Sequence, residues 1–211
     1  YRKSLENSKR IASPGCYSTG ANVILKPLIS SGILSKNIPI IINAVSGYSG
    51  GGKSMISYFK EKDHEPFFNY GLNLNHKHLP EIIYHNNLAL TPIFSPSVGN
   101  FIQGMIVSIP LHFSWFNNKV DTEKIQFLME EFYSGANFIK VLKRDEGVSD
   151  KGYFRPDNLV GTNCLDISIF GNNDNNQIII SSRLDNLGKG ASGAAIQSMN
   201  IALGFDETMG L

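Results

Sequence analysis

Asn163 to Phe170 and Gln177 to Arg183 are two apolar-rich runs joined by Gly171-Asn172-Asn173-Asp174-Asn175-Asn176, residues that favour a turn over any regular element. In the first run Leu165, Ile167 and Ile169 alternate with Asp166 and Ser168, the period of a strand that buries one face. A link this short permits only an antiparallel hairpin, because a parallel pair needs a crossover of about a dozen residues or more. Other strand-like runs follow the same style, at Ile38 to Val45, Leu88 to Ser95, Gly104 to Phe113 and Asn137 to Leu142. Helical periodicity marks Tyr17 to Ser31, Leu79 to Asn87 with Pro80 in its first turn, Thr122 to Tyr133, and Ala191 to Leu203 with Gly204 as its stop. A further short helical stretch follows a glycine-rich loop and is ended by Pro66. Strands cluster with short connections instead of alternating regularly with helices. The expected class is therefore α+β, a mixed but largely antiparallel sheet covered by helices.

With 211 residues, 42% of them hydrophobic and 18% charged, the chain can bury a sizeable core. Its 19 basic and 18 acidic residues leave a net charge of +1, which provides no electrostatic footprint for nucleic acid or an anionic membrane. No apolar stretch approaches the roughly 20 residues that span a bilayer. The two cysteines lie in unlike contexts and do not form a disulfide framework, which points to a reducing, cytoplasmic compartment. Tyr1 and the charged Arg2-Lys3-Ser4-Leu5-Glu6 opening read as a surface segment inside a longer chain.

Cys16 lies in Ser13-Pro14-Gly15-Cys16-Tyr17-Ser18-Thr19, where a Pro-Gly corner delivers a thiol to the first turn of a helix. The unpaired N–H groups there stabilise an anion, so this placement is expected to favour thiolate and a nucleophilic role. Cys164 sits inside a strand pattern and is expected to be an inert small hydrophobe.

Two stretches imitate nucleotide motifs. Gly47 to Ser54 satisfies G-x-x-x-x-G-K-[ST] between a strand and a helix, which makes a P-loop nucleotide-binding module the rival reading. Against it, no strand ends in a magnesium-holding Asp beside the first one, and Pro66 cuts the following helix short. Gly188-Lys189-Gly190-Ala191-Ser192-Gly193 satisfies G-x-G-x-x-G, yet only 18 residues follow Gly193 and a dinucleotide fold cannot be completed. A glycine-rich helix start that packs closely on something is the better interpretation.

A thiolate nucleophile calls for a proton-transfer partner, and His76-Lys77-His78-Leu79-Pro80-Glu81 supplies two imidazoles and a carboxylate at a loop-to-helix junction. The spacing of His78 and Glu81 lets the carboxylate reach back and orient the imidazole. The same residues could bind zinc, but other ligands at convincing spacing are lacking, so no metal is expected. His64, His85 and His112 have no partner pattern.

Taken in order along the chain, Pro14-Gly15-Cys16-Tyr17, Ser46 to Lys53, His76 to Glu81 and Leu184 to Asn200 resemble the N-acetyl-gamma-glutamyl-phosphate reductase family, in its shorter bacterial form, from about Ile11 to Leu211. The resemblance implies a C-terminal catalytic and dimerisation domain whose N-terminal Rossmann domain is missing here. Residues 1–15 would be the end of that domain or a linker, 16–185 the catalytic and dimerisation domain, and 186–211 a helix packing back on the nucleotide-binding domain. It further implies Cys16 as nucleophile, His78 in preference to His76 as acid/base, NADP held near Asn186, Lys189 and Gly190, and a homo-oligomer, dimer or tetramer. The substrate would be a small acyl phosphate, with Lys53 and Arg183 available for its anionic groups; without a nucleotide domain the chain could instead be a non-catalytic dimerisation fragment. Ser13 stands where the family usually has Asn, and Ser18 where it often has Pro.

Overall fold

Alternation of buried and open side chains along the strands decides the architecture, and the sheet it builds carries the site at one end. The structure, a computed structural model, describes residues 2–211. The first half comprises α1 (Arg2–Leu5), α2 (Cys16–Ser30), β1 (Ile41–Gly47), α3 (Gly52–Tyr58), β2 (Phe67–Asn69), α4 (Leu79–Asn86), β3 (Ile93–Gly99) and β4 (Met105–His112). The second half adds α5 (Thr122–Phe132), β5 (Ile139–Val141), β6 (Leu165–Asn172), β7 (Gln177–Leu184) and α6 (Gly193–Ala202).

All strands join one seven-stranded sheet in the order β2-β3-β1-β4-β7-β6-β5. Four neighbouring pairs are antiparallel, while β1 with β3 and β5 with β6 are parallel. The mixed, largely antiparallel sheet expected from the sequence is what forms. The β6–β7 hairpin closes around the asparagine-rich turn with Asn172 opposite Gln177.

On one face Met105, Val107 and Ile109 of β4, Leu165 and Ile167 of β6, and Ile178 and Ile180 of β7 are buried. They meet Ala21, Ile24, Leu25 and Leu28 of α2, and Ile125 and Met129 of α5. A Ser182 hydroxyl bonded to the Gly20 carbonyl at 2.9 Å ties α2 to the middle of the sheet. The opposite face is more polar. There Asp166 and Arg183 form an ion pair at 2.6 Å, and Ser108 bonds Ser181 at 2.8 Å.

Several element boundaries differ from the expected ones for local reasons. β3 begins at Ile93 and not at Leu88, since Pro92 has no N–H to offer the ladder and Ile93 is the first to bond, to Ile40. β1 runs on to Gly47 because Ser46 and Gly47 still pair with Val98 and Gly99. The short β2 has no sequence pattern of its own and forms by pairing with the end of β3. Between β7 and α6, Gly188–Ser192 winds as a single π-type turn, with Gly190 N–H donating to Asp185 O and Ser192 N–H to Leu187 O.

Candidate active site

α2 starts at Cys16, one residue before the expected start, with Gly15 as an extended cap residue whose own side chain can cap nothing. The cap comes from another helix. Glu81, in the first turn of α4, accepts the Gly15 N–H at 3.1 Å and the Ser18 hydroxyl at 2.5 Å. The expectation that Glu81 orients His78 is therefore corrected: its carboxylate secures the Cys16 elbow, and Nδ1 of His78 is buried without a hydrogen-bond partner.

His78 reaches the elbow from the side. A Cβ added to Gly15 would lie 2.4 Å from Nε2 of His78, so the imidazole edge rests on the backbone directly before the thiol. His76 stands behind it, its ring centroid 4.8 Å from that of His78 and its Nδ1 accepting the His78 N–H at 3.2 Å. Phe94, Tyr17 and Tyr70 pack edge-on against His76. On the far side of Cys16, a Cβ on Gly190 would come within 2.8 Å of the cysteine Cβ, which explains why the π-type turn carries glycine there. Cys16, His76 and His78 open into a cavity of about 200 Å³ that Tyr70, Lys77 and the loop at Gly50 also line.

Electrostatics correct the expected thiolate. Burial pushes the Cys16 thiol above its ordinary range; the backbone N–H groups of Tyr17 and Cys16 and the charge of Lys77 pull it down, and Glu81 pushes it up again. The helix terminus acts in the expected direction, but burial outweighs it. Burial, with His76 and Lys77 adding to it, lowers His78 to about 4, and burial lowers His76 as well. At neutral pH the two therefore rest as thiol and neutral imidazole, and a neutral imidazole can accept a proton.

Other expected site residues are placed elsewhere. Arg183 is buried beneath the opposite sheet face, donates to the carbonyls of Gly147 and Arg155 at 3.0 and 3.2 Å, pairs with Asp166, and lies 4.5 Å over the Phe154 ring. It pins the loop that covers that face and is not available as a substrate ligand. Lys53 is exposed at the start of α3, outside the Cys16 cavity. Asn186 bonds the Gly104 N–H through its oxygen at 2.7 Å and the Ser49 hydroxyl through its nitrogen at 2.9 Å. Lys189 turns away from Cys16 and donates to Gln197 at 2.6 Å; the Gly190 N–H is spent within the turn. Asn186 and Lys189 are thus buried and engaged within the fold.

The glycine-rich loop lines the cavity, and the first part of it is held by the neighbouring 101–104 turn. Its N–H groups at Gly47, Tyr48 and Ser49 already bond the carbonyls of Gly104, Phe101 and Ile102. Cys16 and Cys164 are both free, no cluster of metal ligands occurs among the described residues, and no described helix is long and apolar enough to cross a membrane. Tyr70 and Lys77 were not singled out from sequence. Tyr70 has no local pattern, whereas Lys77 stood between the two histidines and could have been noticed.

Residues 16–186 match the family model described as semialdehyde dehydrogenase, dimerisation domain. Along its whole length the chain is 43% identical to N-acetyl-gamma-glutamyl-phosphate reductase 2 of Nostoc sp., spanning 68% of that protein. The chain belongs to the N-acetyl-gamma-glutamyl-phosphate reductase family. Over 96% of its length it is 40% identical to the reductase of that name from Brucella ovis, spanning 67% of it. Its fold is similar to a crystal structure of aspartate semialdehyde dehydrogenase II from Vibrio cholerae, with a TM-score of 0.66 at 16% identity over 92% of this chain and 62% of that one. The chain thus corresponds to about two thirds of the length of these relatives.

Proposed function

We propose that the chain forms the acyl-transfer part of an enzyme that reduces N-acetyl-L-glutamyl 5-phosphate to N-acetyl-L-glutamate 5-semialdehyde for arginine biosynthesis. The observation that carries this reading is the imidazole edge of His78 against Gly15, beside a cysteine whose elbow is held by Glu81. The Cys16 sulfur attacks the acyl carbon while His78 takes the thiol proton. The bond from that carbon to the phosphate oxygen breaks, His78 returns the proton to the leaving phosphate, and a thioester remains on Cys16. NADPH, which the family resemblance implies, would supply the hydride for the reduction. Asn186, Lys189 and the Gly190 N–H are engaged inside the fold and do not fit as its ligands.

The same reading takes residues 1–15 as the edge of a nucleotide-binding domain or a linker, 16–185 as the catalytic and dimerisation domain, and 186–211 as a segment packing back on the nucleotide-binding domain. The ion pair of Arg2 with Glu207, at 2.6 Å, supports it by joining the two outer segments. A homo-oligomer accords with a family model named for dimerisation, and a cytoplasmic setting accords with two free cysteines. In the full-length enzyme Cys16→Ser is expected to abolish phosphate-dependent oxidation of the semialdehyde. Retained turnover would overturn the assignment.

A further inference from the structure

Acyl transfer from an acyl phosphate, a mixed anhydride, is helped by a cation beside the leaving group, and both residues available from sequence, Lys53 and Arg183, lie outside the Cys16 cavity. Lys77 is the one lysine or arginine that lines it. Its backbone is held between two fixed histidines, by the His78 N–H to His76 Nδ1 bond at 3.2 Å and the Leu79 N–H to His76 carbonyl bond at 3.0 Å. Among the described residues no hydrogen bond or carboxylate engages the Lys77 ammonium, unlike Lys189 and Arg183. A flexible stem with an unpaired cation at the mouth of a nucleophile's cavity is suited to a mobile anion, because it can follow the group from bound ester to free product.

We infer that Lys77 binds the phosphoryl group of the acyl phosphate during attack by Cys16, and then the inorganic phosphate that leaves. The inference rests on the proposed acyl transfer. The substrate carries two kinds of anion, and proximity to sulfur separates them. The phosphate oxygen is bonded to the carbon that sulfur attacks, whereas the carboxylate lies several carbons further along. Lys77 lines the same cavity as Cys16, His76 and His78, which sets it at the reacting end, and its charge acts on all three.

The test uses the full-length enzyme in the direction of semialdehyde oxidation, where inorganic phosphate is a substrate. Lys77→Met is expected to raise KM for phosphate about tenfold or more and leave KM for the semialdehyde within about twofold, and Lys77→Arg to recover most of the loss. Inorganic phosphate is also expected to protect Cys16 of the wild type, but not of Lys77→Met, against iodoacetamide. Unchanged phosphate KM with intact protection overturns the inference, and so does a rise confined to the semialdehyde KM. A wild type that oxidises no semialdehyde, yet shows phosphate protection that Lys77→Met removes, would overturn the reductase reading and leave the phosphate site standing.

Discussion

Cys16, the proposed nucleophile, rests as a thiol. Helix-terminal N–H groups lower its pKa as a sequence motif suggests, but burial, with Glu81 adding to it, keeps the free thiol protonated. His78, lowered to about 4, is neutral over the same range. The expected pH profile of Cys16 alkylation therefore keeps rising through neutrality, with its inflection above that of an ordinary thiol, and has no plateau between pH 5 and 8. A thiolate–imidazolium pair would give that plateau, so rate measurements with iodoacetamide across pH 5 to 10 decide between the two. Glu81 shows how a residue can be legible in kind and misread in role. Its place three residues after His78 suggested an orienting carboxylate, whereas the packing of α4 beside α2 directs it to Gly15 and Ser18. Ser18, a departure from the family pattern, supplies one of those two bonds.

At the scale of elements, the π-type turn Gly188–Ser192 sets Gly190 against Cys16 while its neighbour Lys189 anchors the turn from the other side. Lys189 is 8% exposed, bonds Gln197, and lies 5.4 Å over the Phe138 ring. Gln197 in turn donates to Glu207, which also pairs with Arg2. Burial depresses Lys189 from 10.5 to about 8. Between these values the unfolded chain holds a proton that the folded chain releases. Stability contributed by this residue is therefore complete above about 10.5, declines as pH falls toward 8, and is lower by roughly 3 kcal/mol below it. Urea unfolding of wild type and Lys189→Met at pH 7.5 and 10 is expected to show the wild type gaining on the variant as pH rises. An equal difference at both values would refute the burial argument. Neither the turn nor this anchor was visible in G-x-G-x-x-G, which says only that glycines recur. The glycine-rich loop is similar: its sequence admits a phosphate cradle, while in the fold the N–H groups of Gly47, Tyr48 and Ser49 are spent on the 101–104 turn.

For the molecule as a whole, the proposed acyl transfer and the hydride transfer are expected to separate. The residues proposed for thioester formation all lie within this chain, whereas Asn186 and Lys189, the side chains expected to meet the nicotinamide cofactor, are bonded within the fold. The 211 residues alone are expected to acylate Cys16 from acetyl phosphate, releasing one phosphate per thioester, and to show no semialdehyde formation with NADPH. Intact-mass measurement of an acetyl adduct, absent in Cys16→Ser, checks the first half. No adduct on a folded chain would mean that the elbow is completed by something outside it. The sequence by itself determined the strands and helices with strong periodicity, the β6–β7 hairpin and the class of sheet, because side-chain alternation and turn chemistry act between near neighbours. It also singled out Cys16 and the two histidines, whose chemistry is carried by residue type. Only the tertiary structure decided that Glu81 caps another helix, that Arg183 serves the far face, that Lys189 is an anchor, and that Lys77 shares the cavity of the thiol. Those outcomes depend on which elements pack together and on how deeply each charge is buried, and neither is encoded in local spacing.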